Sequence, residues 1–481
     1  MFDKHYITTT LPYANGIPHL GHALEFIQAD VISRYKRIVS SKDNVFFNVG
    51  VDEHGLKIYN KAKELGLEPI ELVNKNTQIF KDFCSSLNIS YDNFYRTSSD
   101  FHKKNAKKFW NISFENGDIY KKKYKGLYCV GCESFILEGD LVNGKCPLHD
   151  KEPILMEEEN WFLKLSKYKK EISSFALLKN NIKPEFKSQE LYNFNSQISD
   201  ISISRNIENL PWGIDVPNDN NQVMYVWFDA LTNYLSALEL NDRNKWWNDK
   251  NCETIQIFGP DNLRFQGGIF QGMLKSFNFD FTKKLLCHGT ILDKNGNKMS
   301  KSIGNVLDPI EQINKYNLDA FRYYIIVGIS TFSDASYIEE DLVNLYNSHL
   351  ANNFGNLLNR VIHLANKTDV SYFLDENKVE KEFDNDFIKK PFEEFYEYIE
   401  NYELQKAFLK INEINSSANE YITEKAPWNI ENKSEIEIIL NNLSVILYKV
   451  SSVLEILIPN SAKIAKDMLT KREKGILFEK L

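Results

Sequence analysis

Cysteine is scarce, with six in 481 residues, too few for a disulfide scaffold at this length. Long apolar runs are missing as well. The nearest approach, Ile436 to Ile458, is broken by Glu437, Asn441, Asn442, Lys449 and Glu455. A membrane span asks for about 18 or more apolar residues in succession, so a buried helix is expected there. The N-terminus has no basic-then-apolar leader. Met1-Phe2-Asp3-Lys4-His5 opens directly on a strand-like run, and a cytoplasmic location is expected. Neither sign of charge dominates: 58 Lys and Arg stand against 66 Asp and Glu, a net charge of −8, which gives no global hint of a nucleic-acid partner. Composition is 43% hydrophobic and 26% charged, which excludes disorder, collagen and coiled coil as whole-chain states. The length suits about three domains of ~150 residues each.

What is present is an alternation of strand and helix. His5 to Thr10 is β-branched and aromatic, Leu11 to Pro18 carries Pro and Asn-Gly turn signals, and Leu20 to about Ile38 has helical spacing at Leu24, Ile27, Val31 and Tyr35. Val45 to Val49 reads as a second strand and a helix pattern follows from Lys57. Such alternation argues for a parallel α/β sheet. Close-set cysteines and mixed signals fill residues 116–218, after which the pattern resumes with strand-like Met224 to Phe228 and Thr254 to Asp261. An insertion splitting one α/β domain is expected. Beyond about residue 340, amphipathic patterns over Leu342 to Asn366, Phe387 to Ile422 and Ile436 to Ile458 suggest a helix bundle.

Three constellations carry chemistry. His19-Leu20-Gly21-His22 lies where a Pro/Gly loop hands over to a helix N-terminus, whose N–H groups favour an anion, and its two imidazoles share one face. Lys298-Met299-Ser300-Lys301-Ser302, set between Asn295-Gly296 and Gly304-Asn305, has the makings of a loop that closes over a polyphosphate. A surface histidine pair and an exposed basic loop are the plainer readings of each motif alone. Together they are the signature pair of the class I aminoacyl-tRNA synthetases, which the chain resembles. The third constellation is Cys129-x2-Cys132 with Cys146-x2-His149. Three thiolates and an imidazole suit a closed, tetrahedral, structural zinc site, one per chain, with unligated cysteines as the alternative. Cys84, Cys252 and Cys287 are isolated and read as packing residues.

Within the class the chain is similar to the methionyl-tRNA synthetases over essentially its whole length. The resemblance rests on Leu11 to Gly16, Asp52-Glu53-His54-Gly55, the cysteine knuckle, Tyr225 to Ala230, the lysine loop, Asp319 to Tyr324, Gly355 to Arg360 and Ala426-Pro427-Trp428. It implies a Rossmann-like catalytic domain in two halves, 1–115 and 219–290, split by a zinc-binding connective insertion at 116–218. It further implies a lysine-loop and stem-contact region at 291–340 and an all-α anticodon-binding bundle at 341–481. The implied activity joins L-methionine to ATP, with Mg2+, and then to tRNA(Met). His19, His22, Lys298 and Lys301 would be catalytic. Gly21, Gly259, Asp261 and Ser300 would join those four around ATP. Leu11, Tyr13, Asp52, Trp227, Ala230, Leu231 and Tyr234 would bind methionine, with Asn262 and Gln266 at positions where the family has Ile and His. Val51 likewise stands where Thr is usual. Asn356, Arg360 and Trp428 would read the anticodon, an aromatic platform with side-chain donors beside it.

Other class I synthetases are disfavoured by the short insertion and the four-ligand knuckle. A small-acid adenylyltransferase would not need Trp428 or a helix bundle, and a noncatalytic paralogue would not need both signatures. One methylene distinguishes homocysteine from methionine and is worth only ~1–3 kcal/mol, and the insertion of about a hundred residues is short for a large editing domain; any rejection of homocysteine is therefore expected in the synthetic pocket itself. With the chain stopping at Leu481, a monomer is expected.

Overall fold

Val45–Val51 and Cys252–Phe258 are buried at every position, the mark of strands covered on both faces. They belong to a six-stranded sheet whose spatial order is Asn93–Arg96, Val45–Val51, Lys4–Thr8, Cys252–Phe258, Lys284–Cys287 and Ile182–Lys183. Every pairing in it is parallel. The order reverses between Lys4–Thr8 and Cys252–Phe258, and ligands of open α/β sheets bind outside the carboxyl ends of strands at such a switch. The computed structural model describes residues 2–130, 134–136, 138–147, 150–299, 305–379 and 383–481. The chain clusters into two units, Met1–Pro18 with Lys36–His288, and His19–Tyr35 with Gly289–Leu481.

In the first unit the insertion is built on a long antiparallel ribbon, Ile119–Cys129 against Ile154–Leu163. Its register sets Lys123 opposite Glu159 and Lys125 opposite Glu157, cross-strand pairs of opposite charge. The insertion is no loose appendage. Leu163 and Leu165 share one core with Tyr6 and Phe46 of the sheet, Trp110 of the Asp100–Glu115 helix, and Phe228, Phe270 and Met273. The insertion range also lends the sheet its edge strand, Ile182–Lys183.

Two expectations need correction here. Val226-Trp227-Phe228 is not strand: the strand Asp219–Met224 ends first, and Val226–Leu231 is helical. Local β-propensity yields because the helix buries Phe228 and Leu231 in the shared core and Asp229 between two histidines. The pattern over Phe387 to Ile422 is not one helix either. Lys390–Glu400 and Leu404–Lys425 are separated by Tyr402 at φ 63, and the reversal lets Phe395 meet Phe408 edge to face at 5.8 Å.

In the second unit, Lys433–Leu457 is long and apolar enough to cross a membrane by length and composition, yet most of it is buried. Arg322, fully buried on the Leu318–Val327 helix, donates to Asp30 Oδ2 at 2.7 Å and to the Leu457 carbonyl at 2.6 Å. Arg34 also donates to Asp30, at 2.8 Å. This buried ion pair shows why His19–Tyr35 clusters with Gly289–Leu481 rather than with its sequence neighbours.

Candidate active site

In the first unit, the loop after Lys4–Thr8 is strapped to the end of Val45–Val51. The Ala14 N–H donates to the Asp52 carbonyl at 2.8 Å and the Asp52 N–H to the Pro12 carbonyl at 2.9 Å, which sets Tyr13 beside Asp52. Asn76 holds the same loop by donating to the Ala14 carbonyl at 2.8 Å. Leu11 packs so close to Gly50 that a Cβ there would lie 3.0 Å from its Cδ2. The Asp52 carboxylate, 3% exposed, faces the His54 N–H at 3.4 Å and the Thr97 hydroxyl at 3.5 Å.

Trp227 joins this group. Its ring stacks on Phe265 at 3.7 Å and 8° and turns an edge to Tyr13 at 6.3 Å. Ala230, Leu231 and Tyr234 follow on the Val226–Leu231 and Asn233–Leu240 helices, all buried. Gln266 sits on the π-helical turn Phe265–Ile269 and donates to the Tyr234 hydroxyl at 2.8 Å. Such turns are frequent at functional sites. The turn is tightly seated, since a Cβ on Gly268 would come within 2.6 Å of Asn195 Oδ1 and Phe194 Cε1. Gly259 follows Cys252–Phe258 and starts the turn Pro260–Asn262, with the Asn262 N–H on its carbonyl at 3.0 Å; Asp261 is exposed and Asn262 half-buried.

In the second unit, His19 and His22 open the Leu20–Ser40 helix with their rings stacked at 3.7 Å. His22 Nδ1 accepts from the His19 N–H at 3.2 Å, and His19 Nδ1 from the Gly21 N–H at 3.1 Å. A backbone N–H can only donate, so each Nδ1 is bare and each ring carries its hydrogen on Nε2. Lys298 returns from a turn to bridge Leu292. The turn is pinned by the Asp293 carboxylate, which accepts from Asn305 at 2.8 Å and from the Asn295 and Asn297 N–H groups. Those bonds, Asn305 foremost, hold its pKa below the usual carboxylate value. Ser300 and Lys301 lie outside the described residues. Further along, the Arg360 guanidinium lies over the Trp428 ring, 5.5 Å from its centroid, with Trp428 49% exposed. Arg360 also donates to Asn419 Oδ1 at 3.3 Å, and Asn419 donates to Asn353 Oδ1 at 2.7 Å. Asn356 is exposed one helical turn before Arg360.

Residues 5–152 and 136–362 match the family model for tRNA synthetases class I (M). The methionine–tRNA ligase of Fusobacterium nucleatum subsp. nucleatum is 37% identical over 484 residues, covering 96% of this chain and 74% of that relative. The chain belongs to the class I methionyl-tRNA synthetases. That of Rickettsia bellii is 32% identical over 491 residues, covering 100% of this chain and 95% of its own. A solved structure of the Mycobacterium tuberculosis methionyl-tRNA synthetase in complex with methionyl-adenylate is similar with a TM-score of 0.88 at 30% identity, over 97% of this chain and 94% of that one.

Several residues in this synthetase escaped the sequence reading. Asp229 is fully buried and accepts from His54 Nδ1 and His102 Nε2, both at 2.6 Å. Burial alone would raise its pKa, but the two imidazoles hold it at about 2. Glu53 is likewise fully buried, gripped by Thr77 and Ser98 hydroxyls at 2.5 Å and by Arg96 Nε at 2.8 Å. Both stood inside quoted motifs, but nothing in their spacing announced these partners, which lie 24 to 175 residues away.

Of the knuckle, Cys129 ends the Ile119–Cys129 strand, and Cys146 follows a two-residue Asn143-Gly144 turn closed by reciprocal Val142–Lys145 hydrogen bonds. Both cysteines are 1% exposed. Cys132 and His149 lie outside the described residues, and among the described residues no group of three or more His, Cys, Asp or Glu could hold a metal. Cys84, Cys252 and Cys287 are buried, and burial pushes the Cys252 thiol to about 12, as suits packing residues.

Proposed function

We propose that the first unit's cluster is the methionine site of this synthetase. Asp52 would pair with the substrate ammonium, and Leu11, Tyr13, Trp227, Ala230, Leu231, Tyr234, Asn262 and Gln266 would surround its side chain. The observation that carries this is the strapping of Tyr13 to Asp52 beside the Trp227–Phe265 stack. One nearly buried carboxylate at the edge of an aromatic patch suits an amino acid with a soft, apolar tail. ATP would take Gly259 and Asp261 on the adenosine side and His19, Gly21, His22, Lys298, Ser300 and Lys301 on its phosphates, with Mg2+ accompanying the nucleotide.

The chemistry asks for positioning and charge stabilisation rather than a covalent enzyme intermediate. The methionine carboxylate attacks the α-phosphate and expels pyrophosphate, and a ribose 2′-hydroxyl of the terminal adenosine of tRNA(Met) then attacks the adenylate carbonyl. The Nε2–H tautomers of His19 and His22 serve the first step, because each presents a donor to the transferring phosphate. Asn356, Arg360 and Trp428 would read the anticodon, the guanidinium-on-indole pair offering a stacking surface.

Two thiols nearly closed to solvent, one ending a strand and one following a tight turn, suit a structural zinc site that Cys132 and His149 would complete. The metal, when bound, would cross-link the tip of the insertion. We further propose that homocysteine is rejected in the synthetic pocket itself; assays with homocysteine and ATP that release no homocysteine thiolactone would contradict this. Methionine-dependent ATP–pyrophosphate exchange tests the site as a whole. Asp52→Ala should raise KM for methionine by orders of magnitude with KM for ATP little changed. An equal effect on both would place Asp52 elsewhere than at the ammonium.

A further inference from the structure

Behind the Arg360–Trp428 pair stands an amide whose direction is fixed. Asn353 ends the Tyr346–Gly355 segment region and Arg360 lies on the Asn356–Thr368 helix that follows it; both meet Asn419 of the Leu404–Lys425 helix. Asn419 Nδ2 donates to the Asn353 backbone carbonyl at 3.1 Å, to the Asn415 backbone carbonyl at 3.1 Å and to Asn353 Oδ1 at 2.7 Å. A backbone carbonyl can only accept. Turning the amide over would set its oxygen against two such carbonyls and its nitrogen against a guanidinium that only donates, so the reversed arrangement is excluded at both ends. Asn353 is anchored in the same way, its Nδ2 donating to the Asn412 backbone carbonyl at 3.2 Å. Asn419 Oδ1 is therefore obliged to face Arg360, and it accepts from Nη1 at 3.3 Å.

The partner is neutral, and that decides what the cation can still do. A guanidinium carries five N–H donors. Among the described residues the side chain of Arg360 makes one hydrogen bond, the one to Asn419, and pairs with no carboxylate. A carboxylate in place of the amide would hold Arg360 more firmly, but it would cancel the charge and occupy donors that a base or a phosphate needs. In a chain of net charge −8, a polyanion is held by cations that are left uncompensated locally. We propose that Asn419 is a positioning residue for anticodon recognition: its fixed amide oxygen holds the Arg360 guanidinium over the half-exposed Trp428 ring, and its neutrality leaves that charge to the RNA. This rests on Arg360 and Trp428 reading the anticodon.

The test measures aminoacylation, by the full chain, of tRNA(Met) and of three tRNA(Met) transcripts, each with one anticodon base replaced. Asn419→Leu keeps the volume of the side chain and Asn419→Ala truncates it; both remove the amide. In each, the kcat/KM ratio of tRNA(Met) to at least one replaced transcript should fall roughly tenfold, the low end of the worth of a hydrogen bond to a charged group, because this bond is long at 3.3 Å. Methionine-dependent ATP–pyrophosphate exchange should hold at the parent's level, the sign of intact folding. In an Arg360→Gln background the same changes should lower the ratio no further, since the group they position is gone. Ratios unchanged for all three transcripts in both variants, equal losses on all four tRNAs, or a fall undiminished by Arg360→Gln would overturn the proposal. Arg360→Gln alone separates the two levels. A lowered ratio there with none in the Asn419 variants rejects the role of Asn419 and keeps the anticodon reading. An unchanged ratio in Arg360→Gln rejects that reading, and the role of Asn419 with it.

Discussion

Replacing Asp229 with Asn keeps the shape of the side chain and removes its charge. The carboxylate is fully buried and takes one hydrogen bond from each of two imidazoles at 2.6 Å. Its pKa of about 2 against an ordinary 3.8 is the net of burial, which raises it, and of His54 and His102, which lower it further. A difference of nearly two pH units at about 1.4 kcal/mol each makes the charged form worth roughly 2.5 kcal/mol to the folded state. The sign follows from the folded value lying below the unfolded one: the stabilisation is complete well above pH 3.8 and is lost as pH falls through 3.8 toward 2. Urea denaturation followed by tryptophan fluorescence should therefore show Asp229→Asn less stable than the parent by roughly 2.5 kcal/mol at pH 7, and by about half that at pH 3. Because Asp229 shares its helix with Trp227, Ala230 and Leu231, KM for methionine should rise more than KM for ATP. A stability gap below about 0.5 kcal/mol, typical of an inconsequential surface change, or a gap that does not narrow in acid, would refute the reasoning.

Other consequences follow from single residues. A Cβ on Gly50 would stand 2.3 Å from the Tyr95 carbonyl oxygen inside the parallel sheet, so Gly50→Ala should cost at least ~1–3 kcal/mol; a thermal midpoint equal to the parent's would show that the two strands yield freely. Trp428→Ala removes a stacking surface worth about 1–3 kcal/mol per base, so aminoacylation of tRNA(Met) should lose roughly 5- to 150-fold in kcat/KM, far more than methionine-dependent exchange does; parallel losses would point to a folding defect. Cys129→Ser should lower the zinc content measured by atomic emission and lower the melting temperature, and a chelator should do the same to the parent; equal melting with and without chelator would speak against a structural metal. Lys301→Ala should cut exchange by orders of magnitude in a protein that still folds, and near-normal exchange would remove that lysine from the phosphate site.

Much of the parallel sheet was legible because strands buried on both faces leave continuous β-branched and aromatic runs. His5 to Thr10 and Val45 to Val49 marked two strands that the structure places side by side. The run at Val226-Trp227-Phe228 misled for the same reason: its composition is that of a strand, and only the partners waiting for Phe228, Asp229 and Leu231 make it a helix. The break at Tyr402 was equally hidden, since a single left-handed residue leaves an amphipathic pattern nearly uninterrupted. Arg360 and Trp428, which the resemblance implies together, stand 68 positions apart in the sequence, and the fold sets one over the other.

Local order and family signatures are properties of neighbouring residues, and the sequence alone determined them: alternating strand and helix, the two signature motifs, the paired cysteines and a helical C-terminal region. Hydrogen-bond direction and burial are properties of residues far apart, and only the tertiary structure decided those. It took the folded chain to bring His54 and His102 to one carboxylate, to bury Arg322 against Asp30, and to set Asn353 and Asn419 behind Arg360. A buried polar group must find its partner wherever the packing places one, and no spacing along the chain records where that is.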